Sequence, residues 1–483
     1  MKKRPHIVIL GAGPAGLGAA YQLAKRDDID LTVIEATSQT GGTSRSIEVK
    51  GLQADLGSHR LHPACPPHIL SDIQGLLGDD LLQRPRHGRI RLANRWVRFP
   101  VHPLHLLFEL PPRLSARFAK DMCRGIWPQK NPSPGSATGS DPGSDPGISQ
   151  LDAPTYRNEL ERRFGTALNE YFYSPYAKKL WGLPPEKIAA VQAEKRVAAG
   201  SLFTIARKSL LTLLGKKPFF YYPRQGFGQI FTAYEKAVRD AGTHFALGEP
   251  VTQLARAAEK FRIRTKTGRQ FEADVCLSSL PLPLVAHLWK GPLSPSVQHA
   301  ATQLRYRSMV LVYLVIQARQ FTEFDAHYLP ASELTCSRIS EPAHYRASAH
   351  SNRTVLCAEI PCNREDAIWS ATPEILTGIV QHDLEDCDLS LPPITHVQVE
   401  RIERAYPVYD LSFADSFAEL DSWSQGLENF ASFGRQGLFV HDNSHHALEM
   451  GYEAADCVSA TGPFDQARWQ EARLRFAGNT VED

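Results

Sequence analysis

HIVILGAGPAGLGAAYQLAKRDDIDLTVIE, residues 6–35, is a hydrophobic run, a glycine-rich turn, a helix-like stretch and a second hydrophobic run that ends in Glu35. Gly11 permits a tight strand-to-helix turn, Gly13 lets the backbone approach a pyrophosphate, and Gly16 lets the helix pack closely on the strand. The helix N-terminus then faces the phosphates, and Glu35 lies where a carboxylate accepts hydrogen bonds from ribose hydroxyls. The stretch therefore predicts a dinucleotide site.

A second glycine turn follows and narrows the choice of dinucleotide. A glycine motif alone could be a structural turn, and NAD enzymes share the first turn and its acidic residue. The continuation from Glu35-Ala36 to Gly41-Gly42-Thr43-Ser44-Arg45 resembles the extended FAD signature of the amine oxidase superfamily. Because no cysteine lies in a recognisable flavin-linking motif, we expect noncovalent FAD. The resemblance assigns to the cofactor Gly11, Gly13, Pro14, Ala15, Gly16, Glu35, Ala36, Gly42, Thr43 and Arg45.

Composition limits the class of protein. Single cores stop growing near about 250 to 300 residues, so a chain of 483 residues predicts two or three cores. The 54 basic and 52 acidic residues nearly cancel, which leaves no field to attract nucleic acid. The eight cysteines show no CxxC pair and no zinc spacing, so we expect reduced thiols and no metal site.

The apolar segments of the sequence indicate whether the protein is exported, spans a membrane or lies on a membrane surface. The first strand begins directly after a short basic start without a cleavage site, which predicts a cytoplasmic protein. The run at 309–316 is far shorter than the ~20 residues of a membrane helix and predicts a buried strand. Residues 101–130 and 204–220 combine apolar stripes with basic residues. Either segment could lie on a membrane surface and admit a lipophilic substrate, although such patterns more often pack within their own domain.

The order of elements predicts an α/β fold made of discontinuous segments. Sequence typical of cofactor domains occurs at the beginning, the middle and the end of the chain. We expect a Rossmann-like FAD-binding domain and a mixed α/β substrate domain. The first takes residues 1–75, 222–280 and 400–465, and the second takes 76–221 and 281–399, with a flexible loop at 128–150.

Several single elements can also be predicted. Residues 68–83 look helical, and residues 89–100 predict a hairpin with Asn94 in its turn. Residues 325–339 predict a strand of the substrate domain. The sequence after Val458 predicts a polar tail.

Four later segments resemble one branch of that superfamily, the protoporphyrinogen oxidases and UDP-galactopyranose mutases. The segments are DLGSHRLHP (55–63), YFYSPYAKKLWGLPPEKI (171–188), CSRISE with TVLCAEIP (336–341 and 354–361), and AYPVYD with FGRQGLF (405–410 and 433–439). The resemblance implies that His59, which follows Ser58, lies against the isoalloxazine ring. It also implies a sugar-nucleotide cleft lined by Tyr176, Lys179 and Trp181.

The same resemblance implies that Arg338 binds a diphosphate, that Tyr406 lies at the cleft, and that Arg435 lies beside both flavin and diphosphate. A guanidinium fork suits bidentate contacts with phosphate, so two arginines in one cleft would indicate an anionic substrate. The expected catalytic residues are His59, Trp181, Arg338, Tyr406 and Arg435. Further cofactor contacts are assigned to Ser58, His59, Val251, Gly434, Arg435, His445, His446 and Ala447.

Each assignment has a structural alternative. His59 could be a turn histidine held by backbone groups, and Trp181 and Tyr406 could be core aromatics. Arg338 could be a solvated strand arginine, whereas Arg435, between glycines in an apolar stretch, is less easily explained in that way.

The sequence also departs from its relatives in two places. The mutases carry a tyrosine after the glycine-arginine turn, where this chain has Phe439 and His441. Amine-oxidising relatives place a lysine near flavin N5, where this chain has Met309 and Val310. Plain amine oxidation is therefore disfavoured.

The stretch His445-His446-Ala447 begins a C-terminal helix. Its backbone N–H groups and positive dipole end should point at the flavin pyrimidine, where negative charge collects on reduction. The histidines themselves could simply cap the helix.

These observations predict a FAD-dependent oxidoreductase that passes a hydride from an anionic or lipophilic small molecule to flavin N5. One alternative is a redox-neutral sugar-nucleotide isomerase similar to UDP-galactopyranose mutase, which uses reduced flavin. Another is a non-catalytic flavin-binding protein whose cleft serves a partner, which a closed pocket without polar groups would favour. The substrate, the electron acceptor and the oligomeric state do not follow from the sequence.

Overall fold

A computed structural model describes residues 4–99, 108–126, 154–196, 219–346, 352–460 and 462–481. The predicted flexible loop at 128–150 lies outside these residues. The strands are β1 (His6–Leu10), β2 (Asp30–Ile34), β3 (Ser46–Val49), β4 (Leu52–Asp55), β5 (Leu81–Pro85), β6 (Gly88–Leu92), β7 (Arg95–Phe99), β8 (Phe219–Pro223), β9 (His244–Ala246), β10 (Val251–Ala257), β11 (Lys260–Thr265), β12 (Gln270–Ala273), β13 (Val275–Ser278), β14 (Tyr306–Ile316), β15 (Ala326–Tyr328), β16 (Arg338–Ser340), β17 (Thr354–Cys362), β18 (Ile394–Pro407) and β19 (Phe430–Ser432).

The helices occur singly or in groups between and after these strands. They are α1 (Pro14–Leu23), α2 (Pro67–Leu77), α3 (Pro112–Ile126), α4 (Tyr156–Leu168), α5 (Ser174–Trp181), α6 (Val191–Arg196), α7 (Gln229–Asp240), α8 (Leu282–Leu288), α9 (Pro295–Gln303), α10 (Ala367–Ser370), α11 (Pro373–Glu385), α12 (Phe413–Gln425), α13 (Gly434–Gly437), α14 (Ser444–Asp456) and α15 (Gln466–Phe476).

The first sheet is parallel and has the strand order β19-β13-β1-β2-β9. Strand β1 lies between β13 and β2, with Ile7 opposite both Val275 and Leu31. Its residues are almost all buried, because both faces of the sheet are covered. Ile7 and Ile9 pack in a cluster with α1, whereas Val8 and Leu10 pack in a cluster with strands β10 and β11. The sheet takes strands from the beginning, the middle and the end of the chain, which confirms the predicted α/β class with a discontinuous cofactor-binding part.

The second sheet has seven strands in the order β18-β14-β17-β16-β15-β6-β7. Strand β14 contains the apolar run 309–316 and pairs with β17 on one side and β18 on the other. Nearly all of its residues are buried, which confirms the predicted buried strand. The hairpin β6–β7 turns at Ala93 and Asn94, both with positive φ, as predicted.

Helices α1 and α14 cross in close contact although their sequences are far apart. A Cβ added to Gly451 in α14 would lie 2.2 Å from the Ala15 carbonyl oxygen of α1, so only glycine allows this approach. The crossing holds the N-termini of both helices against one cavity, since Ala15 and Ala447 both line it.

Three predicted elements were wrong in detail. The helix predicted over 68–83 ends at Leu77, because residues 81–85 pair as β5 with β8. The strand predicted over 325–339 is two short strands, β15 and β16, that pair with each other. The predicted polar tail contains α15, whose residues Trp469, Ala472 and Phe476 repeat at helical spacing and are buried.

The predicted domain limits at residues 75, 222 and 400 fall inside α2, β8 and β18, respectively. Strand β18 pairs along its length with β14 of the seven-stranded sheet. The division into two domains stays a prediction.

The first of the two segments proposed to contact a membrane is described over residues 108–126. In α3, Leu114 and Phe118 are buried in a cluster with Leu160 and Phe164 of α4, so this apolar face packs within the protein. Across the described part of the chain, no helix has both the length and the apolar character needed to cross a membrane.

Candidate active site

A cavity of about 560 Å³ lies between the two sheets. One side is formed by residues that follow β1, β2 and β13 at the carboxyl end of the parallel sheet, where open α/β sheets bind ligands. The other side is formed by residues of β6, β15, β16, β17 and β18. The cavity therefore joins the predicted cofactor site to the face of the seven-stranded sheet.

The phosphate end of the cavity is a backbone cradle. The turn after β1 and the turn at Gly41 are tied together by a 2.8 Å hydrogen bond from the Gly41 N–H to the Ala12 carbonyl. Helix α1 starts at Gly13 without a side-chain cap, and its first-turn N–H groups have no acceptor within the helix. These donors and the helix dipole suit a pyrophosphate.

Glu35 is fixed in place by the same turn. Its Oε2 accepts a hydrogen bond from the Ala12 N–H at 2.8 Å, and its Oε1 accepts from the N–H and the hydroxyl of Thr37, each at 2.9 Å. The carboxylate lines the cavity, so it can accept from a ribose as the sequence predicts.

We expect the replacement of Glu35 by Gln to weaken FAD binding without unfolding the chain. In the native protein the carboxylate accepts hydrogen bonds, whereas the amide of glutamine would direct N–H groups at some of the same donors. The loss of one acceptor costs about 1–3 kcal/mol, so the Kd for FAD should rise about tenfold or more. Calorimetry with apo-protein and FAD measures the change. Glu48→Gln on the exposed face of β3 is the matched control, and an unchanged Kd for Glu35→Gln would place the ribose elsewhere.

The remaining predicted cofactor residues divide into two groups. Those that line the cavity are Gly11, Gly13, Pro14, Ala15, Gly42, Thr43, Ser58, His59, Arg435 and Ala447. Those outside its lining are Gly16, Ala36, Arg45, Val251, Gly434, His445 and His446. Sequence reasoning missed Asn443 and Ser444, which line the cavity at the start of α14; an asparagine before a helical run is an N-cap signal that could have found them.

The histidines that begin α14 do not face the cavity. His446 takes part in a capping box with Asn443, and His445 is buried. Burial lowers the pKa of His445 to about 3, so this ring is neutral near pH 7. The backbone of the first turn at Ser444 and Ala447 is what the helix presents to the cavity.

His59 lines the cavity and is also held by backbone groups. Its Nε2 lies 2.9 Å from the carbonyl oxygens of Thr43 and Leu56, so Nε2 carries the proton and donates to them. The ring stacks on Phe227 at 5.3 Å between centroids. Burial lowers the pKa of His59, which keeps the imidazole neutral and fixed in orientation.

Arg338 lines the cavity, but its guanidinium group already pairs with the carboxylate of Glu359. Its Nε and Nη2 contact the carboxylate of Glu359 at 2.8–3.1 Å, and Glu359 Oε1 also accepts from the Ser58 N–H at 3.0 Å. Both side chains are largely buried. Sequence reasoning missed Glu359, although it is the one charged residue in the otherwise uncharged, fully buried β17, a pattern that marks a functional or paired carboxylate.

We expect Glu359→Leu to destabilise the fold strongly. The change leaves the Arg338 guanidinium buried without its carboxylate, which costs about 3–5 kcal/mol. Chemical denaturation of the FAD-loaded protein measures the loss. The double variant Arg338→Met/Glu359→Leu should recover most of it, because no unpaired charge remains; a single variant as stable as the native chain would contradict the pairing.

A second cationic group lies over the ring of Tyr406. The guanidinium carbons of Arg196 and Arg435 are each 5.2 Å from the centre of the Tyr406 ring, and all three residues line the cavity. Arg435 Nη2 donates to the Ala405 carbonyl at 2.7 Å, while its buried Nε has no partner among the described residues. Burial lowers the pKa of Arg435, an effect that a bound anion would oppose. Sequence reasoning missed Arg196.

An aromatic wall completes the cavity. It consists of Phe99, Tyr156, Phe172, Tyr173, Tyr176, Trp181 and Tyr328. Lys179, predicted near the substrate, is outside the lining, because its Nζ donates to the carbonyls of Leu329 at 2.6 Å and Cys336 at 3.0 Å. His441, Met309 and Val310 are buried and do not line the cavity either.

The parallel sheet, the two helix N-termini and the fixed carboxylate are the arrangement of a dinucleotide-binding protein, with a further cavity beside the dinucleotide site. The sequence profile of the flavin containing amine oxidoreductases matches residues 14–458. The chain belongs to this family, and FAD is its cofactor.

Solved structures share the whole fold. A reduced UDP-galactopyranose mutase superposes with a TM-score of 0.78, with 21% identity over 99% of this chain and 100% of the other. A candidate protoporphyrinogen oxidase from Exiguobacterium sp. 255-15 gives a TM-score of 0.70, with 20% identity over 94% and 98% of the two chains. At these sequence identities the structural similarity shows the fold alone. The two structures represent the two branches of the superfamily that the sequence resembles.

Curated relatives are distant. The zeta-carotene-forming phytoene desaturase of Myxococcus xanthus is 22% identical over 66% of this chain and 62% of its own length. The match thus spans less than two thirds of that enzyme.

Proposed function

We propose that this chain is a FAD-dependent oxidoreductase that oxidises a small molecule with an anionic group and an apolar body. The observation that carries the proposal is the pair of cavity arginines, Arg196 and Arg435. Within the described residues neither forms an ion pair with a carboxylate, and both lie over the Tyr406 ring. One carboxylate, Asp442, also lines the cavity and interacts with Arg435. Two guanidinium groups against this one carboxylate leave an excess of positive charge, which favours an anionic ligand.

Two other arginines of the cavity already have carboxylate partners. Arg338 pairs with Glu359, and Arg60 pairs with Asp325, so both contribute little net charge. The anion is therefore expected at Arg196 and Arg435, and the apolar body along the aromatic wall, where burial of ring surface is favourable.

Bound FAD would supply a hydride acceptor at N5. The cradle at Gly11–Ala15 and Glu35 would hold its adenosine and phosphates, and the first turn of α14 would lie at the flavin end. The backbone N–H groups of that turn stabilise negative charge. His59 keeps a neutral imidazole in fixed orientation, the two arginines orient the substrate, and the aromatic wall excludes water.

Anaerobic titration of the FAD-loaded protein tests the proposal. Tetrapyrroles and sugar nucleotides are the candidate ligands, and flavin absorbance is followed. Stoichiometric bleaching by one compound, restored by an electron acceptor, would support oxidation. If no anionic compound bleaches the flavin, the proposed reaction is wrong.

A redox-neutral sugar-nucleotide isomerase is the second candidate. The full-length likeness to a UDP-galactopyranose mutase and the arginine pair, which suits a diphosphate, favour it. The two candidates differ in stoichiometry, because an isomerase needs only initial reduction and consumes no acceptor per turnover. Binding of a sugar nucleotide only to the reduced protein would favour the isomerase. The charged cavity counts against a non-catalytic flavin-binding protein.

A further inference from the structure

The segment 477–481, here called the strap, reaches the cavity from α15. The helix before it is anchored by the buried residues Trp469 and Phe476, which belong to the same hydrophobic cluster as β1 and α1. At the other end of the strap, Val481 is 5% exposed and lines the cavity. A residue far from any predicted motif thus forms part of the substrate site.

Lys195 of α6 holds the strap in three ways. Its Nζ donates to the carbonyls of Ala477 and of Asn479, the latter at 2.9 Å. Its own carbonyl accepts from the Val481 N–H at 2.7 Å. One lysine therefore fixes the strap through both its side chain and its backbone.

The strap lies at the arginine end of the cavity. Lys195 is followed directly by Arg196, which lines the cavity over Tyr406. Helix α6 is packed through Ala193 into a different hydrophobic cluster from that of α15. The strap consequently connects two cores across this end of the cavity.

The strap has little packing of its own, because Ala477 and Gly478 are exposed. The Asn479 side-chain nitrogen is buried and has no partner among the described residues, and an unsatisfied buried donor costs free energy. Segments with few buried contacts open at lower cost than helices and strands.

We propose that the strap is a wall that closes the arginine end of the cavity, with Lys195 as its latch and Val481 as the residue that sets the width of the opening. Release of the latch would expose the cavity to small anions and free the end of α6 that carries Arg196. That the admitted molecules are anions rests on the proposed function; the closure itself does not.

Anaerobic stopped-flow reduction of the FAD-loaded protein by dithionite tests the closure. Dithionite is a small anion that donates electrons to bound flavin, and the loss of flavin absorbance gives the rate. We expect Lys195→Met and Val481→Gly to raise the rate constant about tenfold, because the wall opens, and Val481→Trp to lower it. For Lys195→Met the direction of the change in rate constant distinguishes two effects. Removal of a positive charge alone would slow reduction by the anionic dithionite, whereas opening of the wall would speed it.

Lys187→Met is the matched control, because Lys187 is exposed and the change removes the same charge. Its rate should stay within about twofold of the native rate. Hydrogen–deuterium exchange at 191–196 and 477–481 should rise in Lys195→Met and stay at the native level in Lys187→Met. Equal rates and equal exchange in all variants would refute the closure. If no compound bleaches the flavin in the anaerobic substrate titration, the proposed oxidation is refuted. The test of the closure with dithionite does not depend on that outcome.

Discussion

Gly16→Ala should give a folded protein that retains almost no FAD. A Cβ at this position would lie 1.9 Å from the carbonyl oxygen and 3.0 Å from the carbonyl carbon of Gly11. Both are backbone atoms of the phosphate turn, so α1 and the turn must separate. The pyrophosphate cradle would lose its geometry, and we expect FAD affinity to fall about a hundredfold, which corresponds to about 3 kcal/mol.

The ratio of flavin to protein absorbance after purification in excess FAD measures this loss. Gly75→Ala is the matched control, because Gly75 lies in α2 and nothing lies within 4 Å of an added Cβ. Alanine there should leave FAD content unchanged and stabilise the helix by up to about 1 kcal/mol. A yellow Gly16→Ala protein with native FAD content would show that the turn does not bind the phosphates.

Arg435→Ala should remove most of the affinity for anionic ligands. The side chain is half-buried and lines the cavity, and among the described residues its hydrogen bond goes to the Ala405 carbonyl. A charge-assisted hydrogen bond contributes about 1.5–3 kcal/mol, and two such contacts to a bound anion would be lost. We therefore expect a fall of about a hundredfold or more in the affinity for inorganic pyrophosphate, measured by calorimetry on FAD-loaded protein.

Two further variants test whether the loss of pyrophosphate binding is specific to the guanidinium group of Arg435. Arg262→Ala removes an exposed arginine of β11 and should leave pyrophosphate binding unchanged. Arg435→Lys keeps the charge without the fork and should bind with intermediate affinity. Native affinity in Arg435→Ala would remove this residue from the anion site, and equal flavin content in all three variants shows that the effect is not loss of cofactor.

The phosphate end of the cavity could be predicted because its signals are local. Gly11, Gly13 and Glu35 lie within one strand, helix and strand unit, and their spacing follows from the geometry of that unit. The C-terminal helix start was predicted for the same reason. The orientation of the His445 side chain was not, because helical position alone did not show which residues of the first turn face the core.

The substrate end depends on pairs that form only when the chain folds. Arg338 has the side chain expected of a phosphate clamp, but its partner Glu359 lies on the neighbouring strand β17, and the pairing removes the free charge. Arg196 and Val481 reach the cavity through the packing of α6 and the strap, and neither belongs to a motif. Lys179 was misplaced because two backbone carbonyls, which no side-chain pattern reveals, hold its ammonium group.

The crossing of α1 and α14 has a consequence for biogenesis. The helix that begins at Pro14 leaves the ribosome long before its partner, which includes Gly451. Strand β19 of the parallel sheet is also made long after β1. The nascent chain therefore cannot offer a complete flavin pocket until β19 and α14 have been synthesised, and cofactor capture must follow their synthesis.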